Sequence, residues 1–413
     1  MGQQTLPGFR DFYPEEMAVR RHLDVAWHAA AAAAGFREVD GPVLESLELF
    51  TKKSGDEIAG QLYSFEDKGQ RPVALRPEMT PTLARMIAAR AGALPKPIKW
   101  YSVQRFFRYE RPQRGRFREF FQWNVDVVGA PEIAADVDAI AVALDGLRRL
   151  GLGSQDLVVR INDRRFVREL LREIDVGPEQ EVPVLGLIDK LARDPKAPER
   201  LTELLGERRA RKVSDWCENL PMERAPVLGE LLETADEYGL RGYLEPDFRI
   251  VRGLAYYTGP VWEIFARGTS LRSVAGGGRY DGLIAMLGGP DLPALGFGMG
   301  DAVLTEFLAE RGLLPDAAPA LDAYVIPVAP EMVASARDVA RRLRAGGARV
   351  DLPYGPVKPR RGLRDASRAG AGYAVLVGPD EWADRSVRIR DLASGSERLV
   401  PVDELASADI LAT

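Results

Sequence analysis

Between Gln104 and Val127 the chain reads "QRFFRYERPQRGRFREFFQWNVDV", an alternation of period two that is interrupted once. Successive strand residues point to opposite faces. Gln104, Phe106, Arg108 and Glu110 therefore share one face of an incoming strand, and Phe120, Gln122, Asn124 and Asp126 share one face of an outgoing strand. Pro112 and Gly115 break the run within "RPQRGR", since proline cannot donate to a ladder and glycine favours turns. Phe121, Trp123, Val125 and Val127 make the opposite face apolar. The pattern predicts a long antiparallel hairpin that packs one face on a core and presents Arg108, Glu110, Phe120, Gln122 and Asp126 together on the other. An arginine can hold a phosphate in bidentate fashion, a carboxylate can accept an exocyclic amine, and an aromatic ring can stack on a base. That describes a nucleotide pocket with the loop arginines free at its rim. A surface hairpin laced with salt bridges shows the same alternation, so the rest of the chain has to choose.

Composition removes several alternatives. The two histidines, His22 and His28, lie six apart in the first helical pattern, and the single cysteine is Cys217. That spacing is not the i, i+4 metal pair, so zinc chemistry, thiol nucleophiles and histidine triads are excluded. Catalysis has to run on arginine, carboxylates, amides and hydroxyls. One cysteine allows no disulfide framework and fits a reducing, cytoplasmic compartment. The Ala29–Ala34 run is too short to cross a bilayer, and "MGQQTLPGFRDFYPEE" has no basic stretch leading into an apolar one, so no secretory signal is expected. With 56 basic against 61 acidic residues, a nucleic-acid partner has to be held by local patches. Residues 104–120, and residues 357–369 ("VKPRRGLRDASRA"), are the two candidates.

At 413 residues the chain exceeds one ordinary domain. A helix is expected from Pro14 to Ala34, stopped by Gly35, and another over residues 130–150. "LVVRIND" reads as a strand; a charge-rich helical block follows at about 165–242, and strands are expected to return at about 248. That order suggests a helical insertion within one catalytic unit spanning 1–320. The Pro/Ala-rich stretch after Asp316 marks a boundary. Beyond it, over 321–413, strand "AYVIPV", helix 330–345, strand "ARVDL", helix 358–369, strand "YAVLVG" and a hairpin turning near Ser394-Gly395 predict a small α/β domain with a largely parallel sheet.

Two further stretches carry polar groups in apolar surroundings. In "VALRPEMTPTLARM", Thr80 before Pro81 has the form of an N-cap, and Glu78 beside it could meet an ammonium group. In "FRIVRGLAYYTGPVWEIF", Arg252 is flanked by apolar residues, Gly253 permits close backbone approach, and Tyr256 and Tyr257 offer hydroxyls. A plain core hairpin would also read this way. The glycines of "AGGGRYDGL" and "LGFGMGD" invite a phosphate-loop reading, but neither stretch matches a P-loop or opens a βαβ unit.

Together these stretches resemble class II aminoacyl-tRNA synthetases, and among them the histidyl-tRNA synthetase family, along nearly the whole chain. "LPGFRDFYPEE" is similar to that family's opening. "GPVLESLELF", with Pro42, resembles its first motif, and "FRYERPQRGRFREFFQ" its second. "VRGLAYYTGPVWE" and "AGGGRYDGL" resemble its histidine-specific segments. The resemblance implies a catalytic domain with an antiparallel sheet flanked by helices, a helical insertion and a C-terminal α/β anticodon-binding domain. It also implies a homodimer joined through the first motif, with L-histidine, ATP with Mg2+, and tRNA(His) as partners and no organic cofactor. By the same resemblance, Arg108 contacts the α-phosphate and the histidine carboxylate, Glu110 the adenine amine, and Phe120 the ring, with Arg116 and Arg279 toward the phosphates. Glu78 and Thr80 meet the histidine amino group with Gln122 nearby, and Met79 belongs to the same histidine site; Asp126 and Tyr257 take the imidazole nitrogens, and Tyr256 lines the pocket. Arg252 stabilises charge at the α-phosphate, and Arg111, Gln113, Arg114, Lys358, Arg360 and Arg361 face the tRNA. The implied reaction is in-line attack of the histidine carboxylate on ATP, which needs positioning and cations more than acid–base groups. Two departures stand out: Ala255 replaces an aspartate, and Asp301-Ala302 replaces the Glu-Arg pair of the third motif. A histidine-sensing regulatory subunit of ATP phosphoribosyltransferase, built on the same fold, is the alternative that would account for the second. A general RNA-binding protein would account for the basic stretches but not for Glu78, Gln122, Asp126 and Tyr257.

Overall fold

The computed structural model describes residues 4–51, 60–192, 194–252, 256–315 and 321–405. The chain divides into two compact units, Met1–Leu314 and Pro315–Thr413. The first is built on an eight-stranded sheet. From edge to edge its strands are Arg37–Glu38, Ile98–Phe107, Glu119–Val128, Ala294–Gly300, Ala275–Arg279, Pro260–Ala266, Leu157–Asp163 and Leu244–Pro246. The six central strands run antiparallel, and only the two edge pairs are parallel.

The hairpin expected from the sequence supplies the second and third strands from one edge of this sheet. Its ladder runs from Ile98 opposite Val128 to Phe107 opposite Glu119. The incoming strand ends at Phe107, short of Glu110, because the Glu110 N–H turns back to the Arg108 carbonyl at 2.8 Å. Arg108 keeps one ladder bond, its N–H donating to the Arg118 carbonyl at 2.9 Å.

The odd-numbered face of the hairpin is the core face. Helices Pro14–Ala33, Ile133–Arg148 and Asp301–Arg311 cover it with Leu23, Trp27, Val137, Leu144, Leu304 and Phe307, packed with Trp123, Val125 and Val127. Trp27 and Trp123 stack with centroids 6.1 Å apart. Pro14 opens the first helix, where a missing N–H costs nothing, and Gly35, at φ 77°, closes it.

Five helices between Arg164 and Glu237 fill the connection between Leu157–Asp163 and Leu244–Pro246. Those two strands pair in parallel, which requires a crossover, and the charge-rich block supplies it. A strand returns after the block at Leu244–Pro246, close to the expected position, and the chain then turns. The Asp247 carboxylate accepts from the Arg249 N–H at 3.0 Å and from Arg249 Nε at 2.8 Å, folding the segment into a turn. Among the described residues the next strand begins at Pro260.

In the second unit, Val350–Asp351, Leu321–Pro327 and Ala371–Val377 run parallel, followed by the antiparallel hairpin Ser386–Asp391 and Glu397–Pro401. Helices Val333–Ala345 and Pro359–Arg368 complete it. The second lies so close to the sheet that a side chain at Gly362 would come within 2.6 Å of Ile326. Among the described residues no helix is long and apolar enough to cross a membrane.

Gly146, inside the helix Ile133–Arg148, faces the Trp123 indole, and a Cβ there would lie 2.6 Å from the ring. Alanine gains about 1 kcal/mol over glycine in a helix interior, whereas overpacking a core costs roughly 1–3 kcal/mol. Against such a rigid neighbour the second effect should prevail. Gly146→Ala is expected to lower the urea midpoint; an unchanged or raised midpoint would show that the indole yields.

Candidate active site

The even-numbered face of the sheet is polar at its centre, and glycines make it accessible. In one row of the ladder Glu263, Gly276, Gly298 and Asn124 lie side by side; in the next are Val261, Gly278, Gly296 and Asp126. A side chain at Gly296 would overlap the Asp126 carboxylate, one at Gly276 would overlap the Arg252 guanidinium, and one at Gly298 would sit 2.6 Å from the Gln122 amide. At Gly278 it would come within 2.6 Å of the Pro260 carbonyl and 3.0 Å of the Tyr257 ring. These glycines lie in strands, not in the loops that a phosphate cradle would need. They form a side-chain-free floor on which neighbouring polar groups rest.

Two carboxyl groups sit at this floor. Asp126 is 3% exposed, and the Tyr280 hydroxyl donates to its Oδ1. Burial pushes its pKa up to about 7; the Tyr280 hydrogen bond opposes the shift, and the nearby Glu78 charge adds to it. Glu78, 4% exposed, accepts from the Tyr256 hydroxyl at 2.7 Å through Oε2, while its buried Oε1 has no hydrogen-bond partner. Burial raises its pKa as well, opposed by Arg108, the Tyr256 hydrogen bond and Arg252. A buried acceptor without a donor is costly, and here it faces arginines and tyrosine hydroxyls. Thr80 lies near the Tyr256 hydroxyl.

Arg108 is held by a 3.0 Å bond from Nε to the Pro77 carbonyl and lies 5.4 Å from the Phe120 ring centroid. Arg252 donates to Glu263 at 3.0 Å and sits 5.5 Å from the Tyr257 centroid. Arg116 pairs with Glu110 at 2.6 Å. Glu78, Asp126, Arg108, Arg252, Tyr256, Tyr257 and Gln122 thus gather on one face of the sheet, with Phe120 beside Arg108 and the Glu110–Arg116 pair in the hairpin loop.

Other expected site residues lie elsewhere or act differently. Arg279, 3% exposed, points to the helix side of the sheet, where it pairs with Asp136 and donates to the Ala130 and Glu132 carbonyls at 3.1 Å each. It follows Gly278 on an alternating strand and so falls on the wrong face. Met79 is fully buried with Leu83 and Ile87. Thr80 is the first helical residue, Met79 holding the cap position, and no side chain caps that end. Arg114 is not free at the rim: it pairs with Glu306 at 2.7 Å and Glu310 at 2.8 Å. Arg111 and Gln113 are exposed, as are Lys358, Arg360 and Arg361 in the second unit. Gly253 and Ala255 lie outside the described residues. Asp301 is buried, accepting from the Phe121 N–H at 3.0 Å and pairing with Arg10 at 2.7 Å. Sequence reasoning missed Tyr280 and Glu263, although the period-two step from Gly276 through Gly278, and from Val261, puts both on the pocket face.

An antiparallel sheet of this order, helices behind it, a polar floor in front and a following α/β unit make up the class II aminoacyl-tRNA synthetase architecture. Residues 8–301 match the family model described as histidyl-tRNA synthetase, and residues 322–410 match the anticodon binding domain. A histidine–tRNA ligase of Opitutus terrae is 41% identical over 97% of this chain and 97% of its own. One of Halobacterium salinarum is 41% identical over 96% and 95%, and the chloroplastic/mitochondrial ligase of Arabidopsis thaliana is 37% identical over 96% and 85%. The solved histidyl-tRNA synthetase of Nostoc sp. PCC 7120 has the same fold, with a TM-score of 0.82 at 24% identity over 98% of both chains. The chain belongs to the histidyl-tRNA synthetase family.

The raised pKa of Asp126 has a consequence for stability. The native state favours the protonated carboxyl, so the group's favourable contribution is complete below its ordinary value of 3.8 and is lost as pH rises through about 7. The Tm of the wild type relative to Asp126→Asn should therefore fall across that window. A difference that stays flat with pH would show that Asp126 ionises normally.

Proposed function

We propose that the chain activates L-histidine with ATP to histidyl-adenylate and transfers it to the 3′ end of tRNA(His). The observation that carries this reading is the glycine-cleared floor bearing two buried carboxyl groups beside Arg108 and Arg252. The partnerless Glu78 Oε1 fits an ammonium group, with Thr80 and Gln122 beside it. Asp126 and Tyr257 suit the two imidazole nitrogens, and Tyr256 lines the wall. An apolar amino acid of similar size would leave those partners unpaired. Glu110 and Phe120 serve adenine, Arg108 and Arg116 the phosphates, and Arg252 the charge that develops at the α-phosphate. Stabilising that charge in a water-poor site is the main catalytic lever. Mg2+ would enter on the ATP phosphates and screen their charge; among the described residues no group of three or more His, Cys, Asp or Glu is set to hold a metal ion by itself.

Arg111 and Gln113 are proposed to meet the acceptor end, and Lys358, Arg360 and Arg361 the anticodon arm. The protein is proposed to be cytoplasmic and to work as a homodimer joined near Pro42. Half-exposed Leu44 and Phe65 on the three-stranded sheet of Leu44–Ser46, Pro72–Leu75 and Ser64–Glu66, with Val43 just before it, support that interface, and sedimentation of the purified chain as a monomer would overturn it. The regulatory-subunit reading is not favoured, since relatives similar over nearly the full chain are ligases and the anticodon-binding unit is present.

Histidine-dependent ATP–pyrophosphate exchange tests the reading. Arg252→Ala should reduce kcat by about 100-fold or more. Alanine at Lys358, Arg360 and Arg361 together should leave exchange intact while raising the KM for tRNA and flattening its salt dependence. Histidine binding without exchange in the wild type would leave a histidine sensor.

A further inference from the structure

We propose that Glu263 is a positioning residue for adenylation, holding the Arg252 guanidinium over the sheet floor. The inference rests on the adenylation reading above and concerns a residue with no assigned role. Arg252 lies in no helix or strand, so no ladder fixes its side chain. Its backbone sits at φ 50°, a conformation that non-glycine residues rarely adopt. An arginine in that setting needs an outside anchor.

Glu263 provides it. Its Oε1 accepts from Arg252 Nη1 at 3.0 Å, and both side chains are only 17% exposed. A charge-assisted bond shielded from water is both strong and directional. Glu263 is itself rigidly placed: its strand neighbours Trp262 and Ile264 are buried in the core on the far face. Directly across the ladder stands Gly276, where any side chain would occupy the guanidinium's position. On its other side Glu263 faces Arg160, which pairs with Asp247 at 3.5 Å. The Arg252 charge is thereby fixed beside Tyr257 and within electrostatic reach of Glu78. Fixing it there also fixes the charge on which the α-phosphate chemistry depends, and orientation set before reaction is worth more than charge alone.

A double-mutant cycle in pyrophosphate exchange, run on the full chain, tests this. Glu263→Gln keeps the shape and removes the charge. It should lower kcat about tenfold, leave the KM for histidine and ATP nearly unchanged, and cause no further loss in an Arg252→Ala background. A purely structural role would instead multiply through both backgrounds. Either that multiplication or full exchange by Glu263→Gln overturns the proposal. Calorimetric histidine binding certifies the fold; if Glu263→Gln fails it, the same cycle with Glu263→Asp decides by the same criterion. A wild type silent in exchange would instead overturn the adenylation reading itself.

Discussion

Two carboxyl groups buried within electrostatic reach of each other set the terms for the catalytic unit. The Glu78 charge raises the cost of ionising Asp126, since like charges in a poorly solvated site repel strongly. Each is therefore tied to a tyrosine, Tyr256 for Glu78 and Tyr280 for Asp126. Arg108 and Arg252 bring positive charge to Glu78. Arg108, Arg252 and Tyr256 set the ionisation of Glu78, whose charge in turn acts on Asp126, so the two carboxyl groups are linked.

Placing such a group at the centre of a sheet demands room, and the strand Ala294–Gly300 shows how room and stability are reconciled. Glycine weakens a strand because it loses the most conformational freedom and packs nothing. Here Gly296 and Gly298 alternate with Leu295, Phe297 and Met299, all buried on the opposite face. Phe297 lies edge-on to Trp123 at 5.1 Å and tilted against Trp262 at 5.5 Å. One strand thus supplies a bare floor to the site and large apolar side chains to the core. The helices behind the sheet offset what the glycines give up.

The same period of two explains what the sequence made legible. The alternation from Gln104 to Val127 placed Arg108, Phe120, Gln122 and Asp126 on one face, because a half-buried strand sorts its side chains by polarity. Tyr256 and Tyr257 announced themselves as hydroxyls among apolar neighbours. Arg279 misled because its charge was read without its parity; one step past Gly278 it belongs to the helix side, beside Asp136. Thr80 misled because Ser/Thr-Pro resembles a cap, whereas the helix already includes it. The turn at Asp247 was hidden because its Asx bonds depend on side-chain geometry that a hydrophobic pattern does not register. Glu263 needed the ladder itself, since only the register sets it opposite Gly276.

The third-motif departure acquires a physical sense from the helix Asp301–Arg311. Asp301 does not face the pocket: its carboxylate ties the helix start to the Phe121 backbone and to Arg10. Further along, Glu306 accepts from the Gly115 N–H at 2.9 Å and from Arg114 Nε at 2.7 Å, while Glu310 accepts from Nη2 of the same guanidinium at 2.8 Å. Gly115 sits at φ 69° with Val303 3.0 Å from where its side chain would be. Exposed ion pairs are individually weak, but a backbone bond and a forked guanidinium acting together fix a loop's direction as well as its position. This helix therefore holds the hairpin loop through carboxylates and supplies no cation at Asp301 and Ala302, the positions where an arginine was expected. Arg108, Arg116 and Arg252 are each directed by a neighbour instead: Pro77, Glu110 and Glu263 respectively.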